Sequence, residues 1–350
     1  MNTSSWIRFR TVHARPLFTA LTLGLALIGI QGCGGSQKSA PESPSTAVQS
    51  PTPTGQLPSG APIPKLTPVP GSVVGLVLGG GAPIVNSTVT LWAASTGEPK
   101  QVGQTRTSAD GRFELGLGGS PDKDTSLYLV AKGGEPTGSA VKGDNPAIAL
   151  LTVLGSTSPS IVTINEMTTV ASVWTNNQFL DGTAISGTSL GLRIAAGNVP
   201  NFVDLATGGY GVMIQDGFNS TQTPTMANFA TLSSVLAGCV NRVKADACDS
   251  LFAATTGPEG KVPSDTLAAA HSIARNCGFK PERVFALLDA FYPVPQGKHL
   301  RATPYMPYLS FAPGAWVLPL KFAGGGYAGG AKVMFDSEGN AWSGANFLVG

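Results

Sequence analysis

Residues 34–70 carry nine prolines among Ser, Thr, Gly and Gln, with almost no aliphatic side chain before Leu57. Such a segment cannot bury enough apolar surface to offset its ordering entropy, so folding is confined to what lies beyond it. As a flexible coil, its 37 residues would span roughly 33 Å, and in polyproline II conformation roughly 115 Å. The rest of the 350-residue chain is better supplied. Hydrophobic residues are 42% of the whole and charged ones 12%, and 27 prolines and 45 glycines make up about a fifth. That composition excludes highly charged disorder, a coiled coil and a collagen-like fibre. A single long apolar run excludes a polytopic membrane protein.

That run is Leu17 to Ile30, 14 residues, preceded by Arg8, Arg10, His13 and Arg15 and followed by Gln31-Gly32-Cys33. It falls short of the roughly 20 residues a bilayer-spanning helix needs and suits the h-region of a secretory signal. The ending resembles a bacterial lipobox, with Ile30 at −3, Gly32 at −1 and Cys33 at the cysteine position. The resemblance implies cleavage before Cys33, diacylglycerol on its thiol and acylation of the freed amine, with palmitate-type chains as the covalent lipid; no cofactor is expected. Two or three chains anchor a protein stably where one does not. Gly34 stands where Asp would retain a lipoprotein at the inner membrane, which favours the outer membrane in a bacterium with two. Removing the leader leaves 19 basic against 20 acidic residues. A near-neutral mature chain has no electrostatic case for binding nucleic acid.

From Ser72 the apolar pattern acquires period two. Val73–Val77, Val89–Trp92, Gln101–Thr107, Arg112–Leu117 and Leu127–Ala131 read as strands punctuated by Gly, Pro and Asp-Gly. Asp110-Gly111 predicts a type I′ hairpin. Val73-x-Gly-x-Val77, Gly81-Ala-Pro83 before Val89-Thr-Leu91, and Thr107-Ser-Ala-Asp-Gly-Arg-Phe113 resemble the carboxypeptidase regulatory-like, transthyretin-like β-sandwich. The resemblance implies a structural or carbohydrate-binding module without catalysis. Trp92 and Tyr128, with Phe113, are the side chains a sugar platform would use, against the alternative of core packing.

Beyond Gly133-Gly134 the period moves towards 3.6. Helices are expected at Pro146–Leu154, Ile164–Leu180, Ser189–Asn198, Thr225–Arg242, Asp246–Thr255, Ser264–Asn276 and Pro281–Phe291. Thr163-Ile-Asn-Glu166 has capping-box spacing, which gives Glu166, the chain's most tempting catalytic acid, a structural task. His271 and Cys277 lie six apart around a helix end without a third member or an oxyanion signature, so a nucleophile–base pair is not supported. No HExxH or paired CxxC motif occurs, and no metal site is expected. With Cys33 lipidated, three cysteines remain. Cys239 and Cys248, at the end of one expected helix and the start of the next, are the expected disulfide, and Cys277 the free thiol.

After Pro293, Pro295, Pro304, Pro307 and Pro313, the stretch Ala331-Lys-Val-Met-Phe-Asp-Ser-Glu-Gly-Asn-Ala-Trp342 reads as strand, turn, strand. It is similar to the opening of an NHL or streptogramin-lyase-like propeller blade. Together with Thr163–Ala171 and the cysteine pair, it resembles exported bacterial proteins in which a helical domain precedes such a propeller. The chain contains a fraction of one blade, so lyase activity cannot be carried over to any residue in it.

The expected organisation is therefore multidomain. It comprises a signal peptide (1–32), a tether (33–70), a small antiparallel β-sandwich (71–134), an all-α domain (140–295), and a connector with a short β-hairpin tail, an incomplete propeller blade (296–350). The expected function is non-enzymatic: display or interaction at the cell envelope, on a membrane through the lipid anchor, with an envelope protein or a glycan as partner. The alternatives are a carbohydrate-binding module and the N-terminal part of a lyase-like propeller protein.

Overall fold

A computed structural model describes residues 6–8, 65–117, 124–322 and 330–345. Cys33 and the tether up to residue 64 lie outside the described residues, as does the leader apart from 6–8. The described residues contain both antiparallel sheets and eight helices, and no barrel or propeller.

Strand β1 is Trp6–Arg8. It is followed by β2 (Ser72–Gly79), β3 (Ala82–Val85), β4 (Thr88–Ala94), β5 (Lys100–Arg106), β6 (Arg112–Gly116), β7 (Ser126–Lys132) and β8 (Glu135–Pro136). Next come β9 (Ala149–Gly155), β10 (Ile161–Ile164), α1 (Glu166–Asn176), β11 (Leu180–Asp181), β12 (Ala184–Ile185) and α2 (Ser189–Phe202). The helical run continues with α3 (Val212–Gln215), α4 (Gly217–Ser220), α5 (Thr225–Val240), α6 (Ala247–Ala254), α7 (Thr266–Arg275) and α8 (Pro281–Phe291). Strands β13 (Gly330–Phe335) and β14 (Ala341–Ala345) close the order.

In the first sheet β2 is central. It pairs antiparallel with β6, parallel with β10, and through its last residues with β3, which carries β8. The second sheet runs β5-β4-β7-β9, antiparallel throughout. Val73, Val77, Ile84, Phe113, Leu115 and Val162 of the first meet Val89, Leu91, Leu127, Leu129 and Leu150 of the second in one apolar cluster. Gly75 is required there: a Cβ would stand 2.4 Å from the Val162 carbonyl oxygen and 2.5 Å from the Phe113 ring.

The expected helix Pro146–Leu154 is a strand instead, β9, and β10 follows it, so residues 140–295 are not all-α. Every residue of β9 is buried. A strand covered on both faces shows a continuous apolar run rather than alternation, and period alone does not separate it from a buried helix. On the far side of the second sheet, Tyr128, Val130, Ala149, Leu151 and Val153 share a cluster with Val170, Val173, Leu192, Phe229, Leu236 and Leu267 of the helices.

The outer edge of β9 is closed by hydroxyls. The Leu151 amide donates to Thr169 Oγ1 (3.0 Å) and the Val153 amide to Ser172 Oγ (2.9 Å), both on α1. On α7, Thr266 Oγ1 accepts from the Ala149 amide (3.0 Å) and donates to the Ala149 carbonyl (2.7 Å). Side chains thus do what a further strand would otherwise do for an open edge.

Asp110-Gly111 is a corner and not a hairpin. Strand β5 belongs to the second sheet and β6 to the first, and of the two turn residues only Gly111 has positive φ (+76°). Ser108 Oγ donates to Asp110 Oδ1 (2.6 Å) and the Val77 amide donates to the Gly111 carbonyl (2.9 Å), fixing the crossing.

Residues 292–322 contain no helix or strand, yet they strap the helices together. Thr225 Oγ1 donates to the Pro319 carbonyl (2.6 Å), the Leu309 amide to Thr231 Oγ1 (2.9 Å) and Trp174 Nε1 to the Trp316 carbonyl (2.9 Å). Trp316 itself is 1% exposed. In the tail hairpin, β14 pairs with β13 on one side and with β1 on the other. Asp336 organises its turn, accepting from the amides of Glu338 and Asn340 and from Trp342 Nε1, each at 2.9 Å. The turn lies against α2, where Arg193 Nη1 donates to the Ser337 carbonyl.

Candidate functional site

Glu166 is the first residue of α1, but it does not cap it. Asn165 is the N-cap, its Oδ1 accepting from the Thr168 amide (2.9 Å) while Thr168 Oγ1 accepts from the Asn165 amide (2.9 Å). The capping box therefore sits two residues later than the spacing from Thr163 predicts, and it frees the Glu166 carboxylate for another task. That carboxylate is fully buried. It accepts from the Gly80 amide through Oε1 (3.0 Å) and Oε2 (3.2 Å), and from the Tyr305 hydroxyl through Oε2 (2.5 Å). Three distant pieces of chain converge on it: the β2–β3 turn, α1 and the strap. Gly80 has φ +55°, and a Cβ there would stand 2.4 Å from Asn241 Nδ2.

Among the described residues no Lys, Arg or His forms an ion pair with this acid. Burial pushes its pKa up to about 7, against the lowering pull of the Tyr305 hydroxyl and the Gly80 amide. The same burial, with the neighbouring Glu166 charge, holds the Tyr305 and Tyr292 hydroxyls well above their ordinary value. The arrangement can hold or release a proton at a carboxyl group sealed from solvent.

The other residues singled out from sequence have mostly structural partners. Tyr128, offered as a sugar contact, is 1% exposed; its ring lies beneath the helices, and its hydroxyl accepts from the Ile185 amide (3.3 Å). Trp92 is half-buried and stacks on it, with centroids 6.5 Å apart, so the pair does not form an open platform. Phe113 is in the core. His271 meets the Asn177 carbonyl through Nε2 (3.3 Å), and burial lowers its pKa. Cys239 and Cys248 have their sulfurs 2.10 Å apart, and Cys277 is a free thiol. Among the described residues no group of three or more His, Cys, Asp or Glu could hold a metal ion.

Sequence reasoning missed an open cleft of about 420 Å³ where the tether enters the body. Its walls are Lys65–Thr67 and Val69 on one side, and Thr105, Arg106, Arg112 and Glu114 of β5 and β6 on the other, over Val74 and Phe113. Leu66 anchors the entering segment on Leu76 and Leu78 of the first sheet's outer face. The alternating exposed residues of β5 and β6 were the available signal, but nothing local says that Lys65 comes to face them.

No protein-family model matches the chain, and no curated protein matches it. Among solved structures it is similar, over 28% of its length, to a 9R-lipoxygenase from Cyanothece PCC8801, at 14% identity and a TM-score of 0.16. The match spans 16% of that protein, and at that score it carries no argument about fold or activity.

Proposed function

We propose that this chain is a non-enzymatic interaction module of a bacterial envelope, carried on acyl chains at Cys33 and held off the membrane by the Pro-rich tether. We read the two sheets as a carboxypeptidase regulatory-like sandwich fused to a helical layer, with the tail hairpin as the start of an NHL-like blade. The observation that carries the non-enzymatic reading is the state of Glu166. The acid best suited by sequence to catalysis is sealed at 0% exposure beneath Tyr305, where no substrate reaches it. The lipid anchor rests on the leader: a basic head, a short apolar run, and Gly32-Cys33 at its end. Cleavage before Cys33 would also remove β1 from the edge of β14 and leave the hairpin open on that side for a partner strand.

The test is metabolic labelling with palmitate in a bacterial host. Label is expected to enter the wild-type chain and to be lost with Cys33→Ser, which should also move the protein from the membrane to the soluble fraction. Equal fractionation of the two, with no label in either, defeats the proposal.

A further inference from the structure

We infer that the cleft between Lys65–Val69 and strands β5 and β6 binds a phosphate group. Three cationic side chains line it, Lys65, Arg106 and Arg112, against one carboxylate, Glu114. Their engagement by the protein is incomplete. Arg112 is committed, with Nε 3.0 Å from Asp110 Oδ2 and Nη2 donating to the Lys65 carbonyl (3.5 Å). Arg106 spends one amino group, Nη1, on Asn86 Oδ1 (3.0 Å). Among the described residues neither the Lys65 ammonium nor the Glu114 carboxylate has a hydrogen-bond or ion-pair partner.

Two unsatisfied cations beside a third that is held in place suit an anion with several acceptor oxygens. A phosphate offers three to multiple donors, whereas a carboxylate offers two. Thr67 and Thr105 add hydroxyls from the two walls. Glu114 can accept from hydroxyls on the group that bears the phosphate, and Val74, Leu66 and Phe113 give that group an apolar floor. The volume falls in the range of small-ligand sites. Arg112 is also set by structure: the Ser108–Asp110 corner positions Asp110, and Asp110 orients the guanidinium. This inference does not rest on the lipid anchor or on the non-enzymatic reading.

A lipid headgroup ending in a phosphomonoester and a soluble phosphomonoester present the same chemistry, so the experiment has two arms. Full-length chain carrying Cys33→Ser, which cannot be membrane-bound through acyl chains, is titrated calorimetrically with inorganic phosphate and with glucose 6-phosphate. It is also floated with phosphatidate-containing and with pure phosphatidylcholine vesicles. The expected result is saturable binding that weakens at least tenfold in Lys65→Ala/Arg106→Ala and weakens with added salt, while circular dichroism and Tm stay unchanged. Glu114→Gln should strengthen binding of inorganic phosphate. Binding of the soluble compounds alone identifies a phosphomonoester as the source. Flotation with the phosphatidate-containing vesicles alone, lost in the double variant, identifies a headgroup. Absence of binding in both arms, or binding that the double variant leaves unchanged, overturns the inference.

Discussion

Between the two sheets, Val89, Leu91, Leu127 and Leu129 meet Val73, Val77 and Phe113 through aliphatic and aromatic contact. At the outer edge of the same second sheet the chemistry is different. There β9 meets α1 and α7 through Thr169, Ser172 and Thr266, whose hydroxyls take up backbone groups that no strand pairs. Three residues before Thr169, the Glu166 carboxylate takes up the Gly80 amide in the same manner, but as an acid. The first region stabilises by area removed from water, and any side chain of similar volume would serve. The second is specific, because a buried amide left without its acceptor costs more than the bond was worth. The difference explains how a sheet can end beneath helices without a further strand.

The comparison breaks first at the apolar side. Leu129→Ala empties a site in the inter-sheet core and should lower the unfolding free energy by about 2–5 kcal/mol, read as a shifted urea midpoint at constant slope. A loss below about 1 kcal/mol would mean that the inter-sheet core is not close-packed.

Glu166 gives the next largest effect, and a directional one. Its pKa is raised to about 7 in the fold from an ordinary 4.5, so the folded state binds the proton more tightly than the unfolded chain. Its contribution is therefore fully present below pH 4.5 and is lost as pH rises through about 7, a change of about 3 kcal/mol. The difference in stability between wild type and Glu166→Gln, followed from pH 4 to pH 8, should fall across that window. A difference curve that is flat, or that slopes upward, contradicts the burial described for this acid.

Within the helical layer, the Cys239–Cys248 link closes a ten-residue loop. Opening it by Cys248→Ser should cost about 2.7 kcal/mol on chain-entropy grounds. The Tm of that variant should fall, and adding reductant should lower it no further. The smallest effect belongs to the hydroxyl seam. Thr169→Val keeps shape and removes the acceptor of the Leu151 amide, at a cost of about 1–3 kcal/mol. Hydrogen exchange at Leu151 should accelerate more than at Leu129, whose amide environment the substitution does not touch.

Much of the element inventory was legible in the sequence, and much of the site was not. Helices α5 to α8 follow from periodicity, Asp265 and Pro281 mark two of their starts, and the alternation of β4 is visible in Val89 and Leu91 between Thr88, Thr90 and Trp92. The turn at Asp336–Asn340 was also legible, because its geometry depends on side chains within six residues of one another. Strand β9 was not, since burial on both faces erased its period. The strap was read as a connector because its proline content speaks only of what it cannot form. Glu166 was given a cap because capping is a local pattern, while its real partners are 86 and 139 residues away.

The sequence by itself determined most local conformations, helices α5 to α8 and the Asp336 turn among them, and the residues available for chemistry, since each depends on neighbours along the chain. Tertiary structure alone decided which of those residues are sealed and which are open. Tyr128 went beneath helices, Glu166 under Tyr305, and Lys65 out to face Arg106 and Arg112 across a cleft. Burial and the low dielectric around a charge are set by everything that packs against it, and no stretch of sequence contains that information.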